Sequence, residues 1–306
     1  MTLGEKVDAA VKRLKAFEPP EGYYLAFSGG KDSVVCKALC DRAGVKYDAH
    51  YNVTSVDPPE LVRFILDYHK DVHFDIPHYA DGTPITMWNL IPKQLIPPTQ
   101  LVRYCCKHLK ERGGEGRFCV TGVRWEESAR RKNNRGIVEQ QFAGNDNTDI
   151  SDADLSIWQR NKSGGLILVN DNDEARRQLE HCQIKGKWVL NPIIDWTYRN
   201  VWDFTYNEQL PYCCKYDQGR CRLGCIGCPM GGRKQMLEDF AEYPKYKEAY
   251  LRAFGKMIEE RKKRNLHNKT RWETPEQVFR WWTRDPNGED QITMFDDAGG
   301  DTDGEK

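Results

Sequence analysis

Two short stretches of this 306-residue chain carry side chains whose types and spacing can do chemistry. The first reads Ser28-Gly29-Gly30-Lys31-Asp32-Ser33. Paired glycines let a backbone turn tightly and approach a ligand closely. If a helix starts there, its free N–H groups and dipole favour an anion. The Ser28 and Ser33 hydroxyls and the Lys31 ammonium then complete a cradle for phosphate oxygens. The spacing does not fit G-x-x-x-x-G-K-[ST], so a P-loop kinase or GTPase is excluded. The second stretch is built of cysteine, of which the chain has 11. Cys225 and Cys228 form a C-x-x-C pair with Cys221 four residues earlier, and Gly224 and Gly227 leave the loop free to turn both sulfurs to one centre. Cys105 and Cys106 are adjacent, so helix amphipathicity does not explain them. An iron–sulfur cluster, a zinc ion and free thiols are the competing readings.

These residues need a scaffold, and the first half of the chain supplies one. Strands are expected at 23–27, 48–53, 72–76 and 117–123, with helices over 33–43, 59–69 and about 103–110 between them. Such alternation predicts βαβ units and a parallel sheet. The stretch 140–175 is polar and rich in Asn and Asp, which suggests loops and a short hairpin. A fifth strand is expected at 187–190, followed by a helix N-capped by Thr197 and running to about 208. Beyond a cysteine-rich loop at 213–228 the chain reads helical over 234–265, and a Trp-rich segment at 272–282 closes the ordered part. In this setting the glycine turn follows a strand and opens a helix. Arg124 follows a strand end and Arg131 comes seven residues later, placing always-charged, planar forks where phosphate or sulfate would sit.

SGGKDS resembles the PP-loop of the ATP pyrophosphatase superfamily (adenine nucleotide alpha-hydrolase-like), and more closely its phosphoadenosine-phosphosulfate (PAPS) reductase-like branch. Four further segments are similar to that branch in the same order: Arg103-Tyr104-Cys105-Cys106 with Lys110, Gly122-Val123-Arg124 through Ser128 with Arg131, Asn191-Pro192 through Thr197 and on to Trp202, and Gly224-Cys225-Ile226-Gly227-Cys228. Asn200 stands where the branch usually carries Asp. The resemblance covers roughly residues 23–230 and implies an α/β fold with a doubly wound, mostly parallel sheet and a helical C-terminal region. It implies an adenine nucleotide, ATP with Mg²⁺, on Ser28, Gly29, Gly30, Lys31, Asp32 and Ser33, with Asp57, Arg124 and Arg131 as further contacts. It also implies a [4Fe–4S] cluster on Cys105, Cys106, Cys225 and Cys228, zinc being the alternative metal. Cys214 and Cys221 with Cys225 and Cys228 form a second possible ligand set, closer to iron–sulfur proteins of DNA phosphorothioation systems. Cys36, Cys40 and Cys119 are expected in the core, and Cys182 carries no signal.

The activity implied is cleavage of ATP at the α-phosphate, giving AMP and pyrophosphate and adenylating an acceptor oxygen for replacement, often by sulfur. Lys31, Ser33 and Arg124 would be its catalytic residues, and a sulfur donor or partner protein would assist. A sulfonucleotide reductase is the second expectation. Reductases of the branch resemble one another in a C-terminal Glu-Cys-Gly segment whose Cys attacks the sulfonucleotide, and none of residues 229–306 is cysteine. A non-catalytic nucleotide-binding regulator is the third.

Composition narrows the classes further. Lys and Arg number 46 and Asp and Glu 46, so no global field drives the chain onto nucleic acid or acidic lipid. The balance hides a basic middle at 103–135 and an acidic end at 286–306, expected to be a disordered tail. No run reaches the length of a membrane span, and the N-terminus lacks the pattern of a signal peptide, so a cytoplasmic protein with reduced thiols and no membrane contact is expected. Aromatics interleaved with arginines at 271–284 suit either helix packing or contact with single-stranded nucleic acid. Three regions follow: a PP-loop nucleotide-binding domain at 1–210 with an insertion at about 130–185, a Cys-rich loop and helical region at 211–285, and the tail.

Overall fold

The protein is described from a computed structural model, which covers residues 1–111, 113–141, 158–160, 166–168, 187–266 and 272–284. The acidic tail, Cys182 and most of the 130–185 insertion lie outside the described residues. In chain order the elements are α1 (Leu3–Ala16), β1 (Tyr23–Ala26), α2 (Lys31–Ala43), β2 (Tyr47–Asn52), α3 (Pro59–Tyr68), β3 (His73–Asp75), α4 (Met87–Gln94) and α5 (Tyr104–Leu109). They continue with β4 (Cys119–Val120), α6 (Ala129–Asn134), β5 (Val138–Gln141), β6 (Trp158–Arg160), β7 (Leu166–Leu168) and β8 (Lys187–Leu190). The last four are α7 (Tyr198–Asn207), α8 (Gly232–Glu242), α9 (Pro244–Lys263) and α10 (Pro275–Trp282).

Two compact units share the chain. The first comprises Met1–Val53, Pro58–Ile76 and Lys110–Leu223, and the second Thr54–Asp57, Pro77–Leu109 and Gly224–Lys306. This division departs from the expected boundary at 210: residues 54–57 and 77–109 belong with the C-terminal helices. The cause is hydrophobic patterning at a distance. Leu90 and Ile91 of α4 are fully buried in one cluster with Tyr250, Phe254 and Met257 of α9 and Trp282 of α10.

The sheet of the first unit runs β3-β2-β1-β4-β8-β5-β7-β6. Its first five strands are parallel, in register Leu25 with Ala49, Leu25 with Val120, and Val120 with Leu190. β5 turns antiparallel on β8, and β6 and β7 complete an antiparallel edge, the hairpin foreseen in the polar insertion. Tyr23, Leu25 and Phe27 alternate along one face and pack with Leu14 of α1, Val35 and Leu39 of α2, Ile65 of α3 and Phe204 of α7. Burying each such side chain contributes about 1.5–3 kcal/mol. The order decides where a ligand can sit. From β1 the chain steps outward to β2 and β3, then returns to the other side of β1 as β4. The gap beyond the carboxyl ends of β1 and β4 is therefore a topological switch point, the usual ligand crevice of open α/β sheets. The expected mostly parallel α/β fold with a helical C-terminal region is the fold observed.

In the second unit, the single helix read over 234–265 is two helices. Pro244 has no N–H to continue α8 and instead takes the first position of α9. The Trp-rich segment packs: Val278, Phe279 and Trp282 of α10 are buried, and Trp282 Nε1 donates to Pro98 O at 2.6 Å. No described helix is long and apolar enough to cross a membrane.

Candidate functional site

The loop at 28–33 connects β1 to α2 in the first unit. Gly29 holds a φ of 71°, in the left-handed region, and a Cβ there would come within 2.7 Å of Leu61 Cδ1. Only glycine lets the turn lie this close to α3. Gly30 is the N-cap of α2 and offers no side chain to its N–H groups. The serines tie the loop internally: Ser28 N donates to Ser33 Oγ at 3.2 Å, Gly30 N to Ser28 Oγ at 3.4 Å, and Ser33 Oγ to Gly30 O at 2.8 Å.

Two cations meet over one carboxylate. Lys31 Nζ lies 2.9 Å from Asp32 Oδ2, and Arg124 Nε lies 2.7 Å from Asp32 Oδ1. Lys31 is 5% exposed and Arg124 3%. Arg124 arrives from the loop after β4, on the other side of the switch point. There a Cβ on Gly122 would sit 3.0 Å from Asp32 Cβ, so the two loops are in close contact. Arg124 Nη1 also pairs with Glu126 Oε2 at 2.9 Å, and Glu126 accepts from Tyr198 N. Arg131, on α6, is ion-paired with Glu127, whose Oε2 accepts Arg124 N at 3.2 Å. Burial, then neighbouring Arg222 and Arg135, pull the Arg131 guanidinium below its ordinary pKa. The structure thus brings Ser28, Gly29, Gly30, Lys31, Asp32, Ser33 and Arg124 together, with Arg131 linked through Glu127.

Two members of this cluster have no signal in residue spacing. Tyr216 accepts Lys31 N–H through its hydroxyl at 2.9 Å, 185 residues along the chain. The Tyr198 ring centre lies 5.3 Å from Lys31 Nζ. Asn191, read as part of a motif, is fully buried and clamps strands: its Nδ2 donates to Gly136 O at 2.8 Å and to Glu139 Oε1 at 2.6 Å.

Asp57 belongs to the second unit. Its Oδ2 accepts Thr54 N at 3.0 Å, and Cys225 Sγ lies 3.9 Å from its Oδ1. Cys105, Cys106, Cys225 and Cys228 are in this same unit. Cys105 shares a hydrogen bond with Cys106; that bond first, then burial, then the Coulombic influence of Cys106, Cys225 and Cys228, raise its pKa far above that of a free thiol. Four thiols suit a thiophilic metal in donor type. In arrangement they do not, since among the described residues no three His, Cys, Asp or Glu side chains converge as a metal site. Cys214 and Cys221 lie in the first unit and are exposed. Cys36, Cys40 and Cys119 are buried, and burial pushes the Cys40 thiol up to about 12.

Comparison with known proteins gives a family. The model described as the phosphoadenosine phosphosulfate reductase domain matches residues 22–230. An adenosine 5'-phosphosulfate reductase of Salinibacter ruber is 42% identical over 61 residues, 19% of this chain and 24% of that protein. An uncharacterized protein of Methanocaldococcus jannaschii is 33% identical over 241 residues, 76% of this chain and 46% of that protein. The chain thus spans from about a quarter to under half the length of these relatives. Among solved structures, a PAPS reductase from Candida auris has a TM-score of 0.39 at 12% identity, covering 73% of this chain and 93% of that one. The FMN adenylyltransferase of Candida glabrata has a TM-score of 0.42 at 12% identity, covering 74% and 63%.

Proposed function

The chain belongs to the phosphoadenosine phosphosulfate reductase domain family, and from that membership we propose that it binds ATP on residues 28–33 and cleaves it at the α-phosphate to adenylate an acceptor. The observation that carries the reading is the paired cations: Asp32 holds Lys31 and Arg124 by its two oxygens, at 2.9 and 2.7 Å, beside a glycine-lined helix N-terminus. An acceptor oxygen attacks the α-phosphorus and the bond from that phosphorus to the bridging oxygen breaks. Pyrophosphate leaves with the electron pair, and the acceptor proton passes to solvent. The Gly30 and Lys31 N–H groups, the Lys31 ammonium and the Ser33 hydroxyl hold the leaving pyrophosphate, and Arg124 meets charge developing on the α-phosphate. Tyr216 yields the Lys31 N–H when phosphate arrives. Mg²⁺ would come with the phosphates and neutralise their charge, as it commonly binds through substrate oxygens and few carboxylates. Asp57 and Arg131 remain proposed nucleotide contacts.

Cys105, Cys106, Cys225 and Cys228 are proposed as ligands of a [4Fe–4S] cluster, with zinc as the alternative and Cys214 and Cys221 as replacement donors. Because their arrangement does not converge, no step is routed through them. Iron, sulfide and zinc analysis of anaerobically purified protein tests the assignment. Brown protein that loses its colour in Cys225→Ser, and keeps it in Cys36→Ser, supports it; colourless protein with stoichiometric zinc removes the cluster.

Release of AMP and pyrophosphate from ATP, screened across acceptors and sulfur donors, tests the reaction. Lys31→Ala is expected to lower turnover by about 10²–10³-fold, the usual cost of one transition-state donor. A second reading rests on the stretch shared with adenosine 5'-phosphosulfate reductases. Sulfite release from that sulfonucleotide or from PAPS would establish it. ATP binding without turnover, with or without a partner protein, would leave a regulator.

A further inference from the structure

Five aromatic rings lie together beside the 28–33 loop, and the chemistry above leaves most of their surface unused. Tyr198, Trp202 and Tyr206 recur every four residues along α7 and so share one face of the helix. A flanking stripe, Val201, Phe204 and Thr205, is buried and already anchors α7 to the core. Trp202 stacks on Tyr206 with ring centres 5.4 Å apart and 23° between planes. It meets Tyr212 and Tyr216 edge-on, each at 5.2 Å. Even so, Tyr198 remains 43% exposed and Tyr206 59%. Core packing does not require a second, outward aromatic face on an amphipathic helix. Rings held at fixed angles by one another and partly exposed to solvent are a preformed surface for a planar ligand.

One end of this surface is the phosphate loop. Lys31 Nζ lies 5.3 Å from the Tyr198 ring centre and 5.9 Å from that of Tyr216, and the Tyr216 hydroxyl accepts Lys31 N–H at 2.9 Å. A ring stacked here carries its substituents toward the place where the α-phosphate would react. The flanking charges set the ligand class. Arg199 is paired with Asp203 at 3.6 Å, and Arg42 with Glu208 at 2.9 Å. Charges matched in this way draw no polyanion, so the surface selects by shape and π-stacking.

We propose that Tyr198, Trp202, Tyr206, Tyr212 and Tyr216 form the acceptor-binding platform and that the acceptor is an uncharged planar heteroaromatic ring. The assignment as acceptor rests on reading residues 28–33 as the ATP loop; the stacking itself does not. Uridine, cytidine and guanosine, with 5,6-dihydrouridine as the non-planar control, test it by saturation-transfer NMR and titration of Trp fluorescence. At least one planar nucleoside is expected to bind saturably, with dihydrouridine about tenfold weaker than uridine. Tyr206→Ala should weaken the planar ligand about tenfold and Tyr206→Phe should restore it, because the ring and not the hydroxyl makes the contact. Equal binding of uridine and dihydrouridine, no binding by any of the three, or unchanged binding in Tyr206→Ala overturns the platform. So does a dimer in the parent that becomes a monomer in Tyr206→Ala with ring binding intact. ATP binding, followed in the same samples with Lys31→Ala as control, separates the two ideas. A platform that discriminates planar rings while ATP fails to bind would sink the nucleotide reading and leave the stacking site.

Discussion

The 28–33 loop and the 225–228 loop use the same backbone device for opposite chemistry. Each turns on a glycine in the left-handed region, Gly29 at 71° and Gly227 at 70°, with a neighbour packed where a Cβ would be. The first loop opens onto charge: two buried cations share Asp32 at the start of a helix. The second opens onto thiols against an aromatic core. There burial first, then Cys225, Cys105 and Cys228, hold the Tyr250 phenol far above its usual pKa. The contrast teaches that ligand type follows from what surrounds the turn. A carboxylate held between two cations crowds one helix start, whereas sulfur in apolar surroundings lines the other turn.

Asp32→Asn attacks this contrast most directly. Removing one partner of a buried ion group leaves uncompensated charge and costs about 3–5 kcal/mol. Hydrogen exchange should quicken in β1 and α2 and stay unchanged in α9; equal protection in the variant would show that Asp32 does not organise the first site. His69 sharpens the contrast, because burial also disfavours the charged form of an imidazole in the first unit. Its ring packs 4.8 Å from Phe27 and 5.2 Å from Phe64, and its Nε2 has no hydrogen-bond partner among the described residues. Burial, then Lys37, lower its pKa from 6.5 to about 4. Between those values the unfolded chain binds more protons than the folded one, so stability falls as pH drops from 6.5 toward 4 and is level above. The loss reaches up to about 3 kcal/mol. His69→Phe should flatten that limb of the stability–pH curve, and an unaltered limb would assign it to other groups.

Much of the first unit was legible because its signals are local. The alternation of apolar strands and helices placed β1, α2, β2, α3 and β8 within two residues at each end. Thr197 caps α7 as expected, and Asn200, the departure from the family pattern, completes the cap: its Oδ1 accepts Thr197 N at 3.0 Å while its N donates to Thr197 Oγ1 at 3.1 Å. An amide serves there as well as a carboxylate, since only an acceptor is needed. What local pattern could not show was partnership over distance. Tyr216 reaches Lys31 from another part of the chain. α4 was hidden because Pro92 lies inside it. The extent of the second unit is not legible in the sequence, because α4 and α9 are far apart in sequence and close in space. The thiols were found by spacing, but spacing does not report whether sulfurs converge.

The glycine pair gives the next effect down. Gly29→Ala and Gly227→Ala should each cost about 2 kcal/mol, from left-handed backbone strain and from collision with Leu61 and Ile65 in one case and Phe240 in the other. Each loss should appear in the exchange of its own unit; a variant that loosened both units alike would end the treatment of the two loops as separate devices.

The smallest effect belongs to the exposed counterpart of the Asp32 pairs. Arg42 and Glu208 meet at 2.9 Å, the same distance as Lys31 and Asp32, but their side chains remain 49% and 43% exposed. Water and salt screen such a pair, and ordering two long side chains offsets much of the attraction, so Arg42→Gln should cost no more than about 0.5 kcal/mol. Even that should vanish in molar salt, where the screening length falls to about 3 Å. The loss in Asp32→Asn should persist under the same conditions, because buried charges are screened far less. Measuring both variants at low and high salt separates distance from burial as the source of ion-pair strength. A salt-sensitive Asp32→Asn would mean that the Lys31–Asp32–Arg124 group is hydrated and does not gain its strength from exclusion of water.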